Sequence, residues 1–261
     1  MKDTEEIKFN TIFTPQEDYE FKNHGYSFKH SGDLGDLIYS LPVMRYFGGG
    51  ELVLNPFGLP SKKYDGSDSG FDNKIIELLR PLLEKQEYIS KLSVWNKQRV
   101  DLDIDYFRTI EIQKDNLCEK ILETFKVPFS ESEKPWITCE KKQLAPVVIS
   151  RSMRYRNDRL IYNHFLQDFD DCVFIGLEDE HQDFEDRFGK IRFHKVSNFL
   201  EFAEIINGSE VFIGNQSFGM SLAVGLGKPF LQEYYPIYHD CIFDRKNANY
   251  IYVKKLEKSE N

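Results

Sequence analysis

The chain has 261 residues, room for one large domain or for two of roughly 110 to 130 residues each. Its 34 Lys and Arg stand against 43 Asp and Glu, a net charge of −9 at pH 7, so the overall field repels polyanions and disfavours non-specific nucleic-acid binding. A content of 41% hydrophobic, 15% aromatic and 30% charged residues excludes a largely disordered chain; no apolar run approaches the roughly 18 to 20 residues of a membrane span, and the acidic start Met1 to Glu6 is unlike a signal peptide, so a cytoplasmic protein without a transmembrane segment is expected.

Tyr26 to His30 alternates like a short strand, followed by the glycine-containing turn Ser31-Gly32-Asp33-Leu34-Gly35 and an apolar helix over Asp36 to Phe47 that stops at Gly48-Gly49-Gly50. Pro42 sits inside that helix, where a proline removes a donor and favours a kink. Glu51 to Pro56 reads as the next strand, so strand, glycine turn, helix and strand follow one another over the length of a βαβ unit. A polar loop over Ser61 to Asp72 leads to a helix over Asn73 to Lys85 and a strand over Tyr88 to Val94.

The proline-bearing, charged stretch Val127 to Pro146 is the expected boundary, dividing the chain into lobes 1–140 and 141–261. After it, strands are expected over Pro146 to Ser150, Cys172 to Gly176 and Glu210 to Gly214, with Pro229 to Glu233 as the last. Helices are expected over Leu160 to Phe169, His181 to Phe188, Phe199 to Ile206 and Phe218 to Leu226. The alternation predicts an α/β protein of two Rossmann-like, doubly wound parallel-sheet lobes facing a cleft. Residues from Lys254 onward read as a solvated tail.

Open α/β sheets bind ligands beyond the carboxyl ends of their strands, which singles out three segments. In the first, Gly32-Asp33-Leu34-Gly35-Asp36, acidic residues at the helix start repel phosphate, so the turn is no dinucleotide fingerprint. Asp36 is either a first-turn carboxylate that stabilises the helix or a general base. The second is Arg151, Arg154 and Arg156 directly after a strand: a solvated charge cluster, or an anion site whose guanidinium forks suit phosphate. In the third, Gly214-Asn215-Gln216-Ser217 precedes a Gly- and Ala-rich helix, so backbone amides and the Ser217 hydroxyl face the cleft in a way that suits a diphosphate. Lys228 either reaches a phosphate or caps the following loop. The four cysteines, Cys118, Cys139, Cys172 and Cys241, form no metal-ligand spacing and read as reduced packing residues.

The segment Gly35-Asp36-Leu37-Ile38-Tyr39-Ser40-Leu41-Pro42-Val43-Met44-Arg45 resembles the GD-x-x-x-x-LP-x-x-R start of the ADP-heptose:lipopolysaccharide heptosyltransferase family, and Gly214 to Pro229 resembles its second signature. The resemblance implies a GT-B fold and an inverting, metal-independent glycosyltransferase without a separate cofactor. It implies a nucleotide-sugar donor held mainly by the second lobe, with Asp36 as base and Asn215, Gln216, Ser217, Met220 and Ser221 on the donor-phosphate loop. Gln216 and Ser221 stand where the family usually has Asp and His, and Phe218 where it has Gly. On this reading Arg151, Arg154 and Arg156 stabilise the departing diphosphate, and Gly32, Asp33 and Gly35 lie on the acceptor side. Glu178 and Glu180 either meet the ribose or base or remain solvated. The acceptor is expected to be a glycan, a lipid-linked or another hydroxyl. Competing readings are a catalytically silent GT-B-like scaffold, a transferase acting on a hydroxylated DNA base, which the acidic charge disfavours, and a nucleotide-sugar epimerase, for which no GxGxxG is present.

Overall fold

The computed structural model describes residues 25–58, 71–111, 116–157, 171–235 and 246–251, together with 162, 166, 167, 169, 242 and 243. The helix expected over Leu160 to Phe169 lies mostly outside them, as do Cys241 and residues 59–70 and 252–261. Among the described residues no helix is long and apolar enough to cross a membrane.

The first sheet has the order β3-β2-β1-β4, all parallel. It is built from β1 (Tyr26–His30), β2 (Gly50–Leu54), β3 (Ile89–Val94) and β4 (Leu102–Asp103), with α1 (Leu34–Tyr46) and α2 (Asn73–Leu83) as its crossovers. A 3₁₀ turn (Ile104–Arg108), α3 (Leu117–Thr124) and the short α4 (Ser130–Glu133) follow. Phe28, Leu52, Leu54, Leu92 and Leu102 alternate onto the face that packs on the helices. The opposite face carries a polar ladder: Ser27 Oγ donates to Asp101, Lys29 Nζ to Asp103 at 2.6 Å, and Lys91 Nζ and Ser93 Oγ to Glu51. Parallel sheets ordinarily bury both faces under helices; here β3 returns to β4 through a short loop instead, and Lys29 lies 4.9 Å from the centre of the Trp95 ring in that loop. Glycine is required at the start of β2, because a Cβ on Gly50 would run into the Tyr26 carbonyl.

The second sheet has the order β10-β9-β8-β5-β6-β7, again all parallel. Its strands are β5 (Val147–Ser150), β6 (Cys172–Ile175), β7 (Arg192–His194), β8 (Val211–Gly214), β9 (Phe230–Glu233) and β10 (Ala248–Ile251). Counted from β5, this is the 3-2-1-4-5-6 order of doubly wound dinucleotide folds. The helices between them are α5 (Glu178–Phe188), α6 (Phe199–Gly208) and α7 (Phe218–Gly225). Two expectations are corrected. Pro229 to Glu233 is not the last strand, since β10 pairs outside it, and α5 begins at Glu178 rather than at His181.

One hydrophobic core runs through both sheets, from Phe28, Leu37 and Leu41 to Val148, Ile206 and Met220. Residues 37–44 of α1 and 219–225 of α7 are buried without interruption, as helices apolar all round should be. They pack on each other at the centre of the molecule. α4 and the stretch after it stitch the halves together: Arg45 donates to the Glu131 and Pro135 carbonyls, Trp136 and Ile137 donate to the Gly225 carbonyl, and Tyr88 Oη donates to the Trp136 carbonyl.

Candidate functional site

Both sheets reverse their strand order at one point, β1 against β4 in the first and β5 against β8 in the second. Most of the sequence-predicted residues lie at these switch points, where the loops diverge and leave a crevice, whereas Glu178 and Glu180 follow β6, away from the reversal.

At the first, α1 starts at Leu34, with Asp33 as its N-cap residue making no side-chain cap bond, so Asp36 lies in the first turn. Its carboxylate is held by Arg108, which comes from the 3₁₀ turn after β4: Nη1 donates to Asp36 Oδ2 at 2.8 Å and Nη2 to the Gly32 carbonyl at 2.6 Å. Gly32 has φ +140, a conformation reserved for glycine. Behind them, Asp105 accepts hydrogen bonds from the Ser31 amide and hydroxyl and lies 3.9 Å from Arg108 Nε and 3.6 Å from Lys29 Nζ. Burial opposes its charge, but His30, Ser31 and Arg108 together hold the Asp105 carboxyl below the usual range. Neighbouring Asp103 is pushed up, chiefly by burial.

The second switch point requires glycine at 214, because a Cβ there would come within 2.6 Å of the Ser150 carbonyl. Asn215 is wholly buried and ties the two loops together: its Oδ1 accepts from the Ser152 amide at 3.0 Å, and its Nδ2 donates to the Ser152 and Arg154 carbonyls at 3.1 and 2.5 Å. Gln216 is buried beside it. Ser217 is the N-cap residue of α7, makes no cap bond, and its buried Oγ has no hydrogen-bond partner among the described residues. The first amides of α7 therefore receive no capping bond from Ser217. Ser221 is buried and donates to the Phe218 carbonyl.

The three arginines part company. Arg151, 2% exposed, donates through Nε and Nη2 to both oxygens of the fully buried Glu233, at 2.6 and 2.9 Å. Glu233 also accepts from the Asn157 amide and the Tyr162 hydroxyl, and burial followed by the Glu233 charge raises the Tyr162 phenol well above its usual range. Arg156 is committed to Asp183 of α5 at 2.6 Å. Arg154 alone of the three is exposed; its Nη2 donates to the Tyr155 hydroxyl at 2.9 Å and its guanidinium lies 4.9 Å from that ring's centre. Glu178 pairs with Lys195 at the surface. Glu180 turns back to accept from the Leu177 amide at the start of α5, and burial raises its carboxyl. Lys228 donates to the Asn207 and Ser209 carbonyls and so closes the end of α6.

The two switch points meet through α1 and α7. A Cβ on Gly35 would lie 3.9 Å from both Cβ and Oγ of Ser221, so the turn that carries Asp36 abuts the first turns of α7. Among the described residues, no group of three or more His, Cys, Asp or Glu is placed to hold a metal ion.

Neither a scan of protein-family models nor a search of curated proteins gives a match. Solved structures do match. A glycosyl transferase family 9 protein from Veillonella parvula superposes with a TM-score of 0.58 at 13% identity, over 89% of this chain and 86% of its own. ADP-heptose LPS heptosyltransferase II of E. coli gives 0.52 at 9% identity, over 88% and 90%. The iron-containing dodecameric glycosyltransferase TibC of enterotoxigenic E. coli gives 0.51 at 14% identity, over 80% of this chain and 58% of TibC. With its paired parallel sheets and opposed switch points, the chain has the two-lobed fold of the heptosyltransferases and their family 9 relatives.

Proposed function

We propose that the protein is a glycosyltransferase that moves a sugar from a nucleotide-sugar donor to an acceptor hydroxyl, with inversion and without a metal. The observation that carries this reading is the contact of the Asp36 turn with the first turns of α7, which sets a carboxylate beside a helix start suited to a diphosphate.

Asp36 accepts the acceptor hydroxyl proton while that oxygen attacks the anomeric carbon. The bond from this carbon to the phosphate oxygen breaks, and the nucleoside diphosphate leaves with the electron pair. Arg108, by donating to Asp36 Oδ2 at 2.8 Å, fixes the orientation of the carboxylate that takes the proton. The amides at the start of α7, the Ser217 hydroxyl and Arg154 stabilise the charge that develops on the leaving group. Arg151 and Arg156 have their guanidinium groups on Glu233 and Asp183, and in this reading they shape the donor loop rather than grip the phosphates.

A thermal-shift panel of nucleoside diphosphates and nucleotide sugars, run in EDTA and in magnesium, tests the proposal. A ligand at about 100 times its Kd adds roughly 2.7 kcal/mol of stability, so one diphosphate and its sugar should stand out, in EDTA as in magnesium. Silence across the panel overturns the proposal, and a response that requires magnesium overturns its metal-independent part.

A further inference from the structure

Tyr155 has φ +50, a left-handed backbone that is unfavourable for a bulky residue and persists where the surroundings impose it. The other described non-glycine residues with positive φ are Lys97 and Lys126. What the conformation accomplishes is visible beside it. The Tyr155 ring lies under the Arg154 guanidinium and its hydroxyl accepts from Arg154 Nη2 at 2.9 Å. Tyr235, just past β9, lies 6.0 Å from it between ring centres. The loop cannot drift, because Asn215 holds the Arg154 carbonyl from the end of β8.

We propose that Tyr155 is a positioning residue that presents Arg154, preset, to the diphosphate of the donor. The strained backbone turns the ring to where it supports the guanidinium, and the phenol fixes one edge of the fork, leaving the other nitrogens for phosphate oxygens. This rests on the donor site proposed above and adds a division of labour within it. Arg151 and Arg156 build the loop, Arg154 meets the anion, and Tyr155 removes the conformational freedom that Arg154 would otherwise lose on binding.

The test is calorimetric titration of the full-length protein with the nucleoside diphosphate selected by thermal shift and with the corresponding nucleoside. Arg154→Ala should weaken diphosphate binding by about 10- to 100-fold and leave nucleoside binding unchanged. Tyr155→Gly suits the left-handed backbone, so its Tm should equal or exceed that of the wild type, yet it should lose most of what Arg154→Ala loses. Tyr155→Phe, which keeps the ring and drops the hydroxyl, should fall between. Wild-type diphosphate affinity in Tyr155→Gly overturns the positioning role; should that variant fail to fold, wild-type affinity in Tyr155→Phe does so. Wild-type affinity in Arg154→Ala overturns the anion contact itself. A wild-type protein that binds no nucleoside diphosphate overturns the transferase reading along with this one.

Discussion

The indole of Trp136 donates a hydrogen bond to the carbonyl of Ile38 at 2.8 Å, and that carbonyl is the one Pro42 leaves without its helical donor. A proline four residues downstream has no N–H to offer, so a side chain from beyond the first sheet fills the vacancy in a helix that is buried on every side. Trp136→Phe should therefore cost about 1–3 kcal/mol for the stranded carbonyl, beyond any packing loss. Pro42→Ala restores a backbone donor, so the Trp136 substitution should cost less in that background. Urea denaturation of the two single variants and the double variant measures the coupling, and a cycle that closes with strict additivity contradicts the arrangement.

Glu233 and Arg151 form a buried, two-pronged ion pair, with the carboxylate further bound by Asn157 and Tyr162. Removing one partner leaves the other charge stranded, which typically costs about 3–5 kcal/mol. Glu233→Gln should lower stability by that order, while the double substitution Arg151→Met with Glu233→Leu should recover much of the loss. Chemical denaturation of the wild type and both variants decides it; a Glu233→Gln protein as stable as the wild type would show that the pair does not hold the donor loop.

Glu201 gathers Lys142 Nζ at 2.5 Å, the Ser197 amide and hydroxyl, and His194 Nε2 at 3.1 Å. Burial opposes its charge, but these partners hold the carboxyl far below the ordinary range. A depressed carboxyl contributes stability that is present above its unfolded value of about 4.5 and is lost as pH falls toward the folded value. The stability gap between wild type and Glu201→Gln should thus be constant near neutrality and shrink from about pH 5 downward. Thermal melts from pH 7 to pH 3 check the sign; a gap that widens in acid refutes it.

Asp36 and Arg108 carry the proposed chemistry. With the donor identified by the binding panel, Asp36→Asn should lower turnover by about 10²- to 10⁴-fold and leave donor affinity nearly untouched. Arg108→Ala should also act on kcat more than on donor affinity, since it removes the hold on Asp36 Oδ2 without touching the donor loop. Unchanged turnover in Asp36→Asn removes it as the base, whatever Arg108 does.

The paired lobes were legible in the sequence because β1, α1, β2, β5, β8 and α7 each announce themselves by short apolar segments bounded by turn residues, as do the strand ends that bear Asp36, the arginines and Gly214 to Ser217. What escaped depends on distant pairing. Arg108 lies 72 residues from Asp36, and only the 3-2-1-4 strand order brings them together. Leu102–Asp103 is a strand of two residues, too short to show a period, and without it the 3₁₀ turn carrying Asp105 and Arg108 has no address. Arg151, Arg154 and Arg156 look alike in sequence; Glu233, 82 residues beyond Arg151, and Asp183 on α5 tell them apart. The position of β10 was missed because it is a strand of four residues whose only sign is its distant pairing with β9.

The uninterrupted burial of α1 and α7 also sets how the cleft can breathe. Prising the two sheets apart like a hinge would expose the apolar flanks of both central helices at about 25 cal/mol for each Å² uncovered. Sliding of one helix past the other, and rearrangement of the loops at the strand ends, leave that contact intact. The contact of the two central helices is thus the costliest part of the molecule to open, and the loops at the strand ends the cheapest to move.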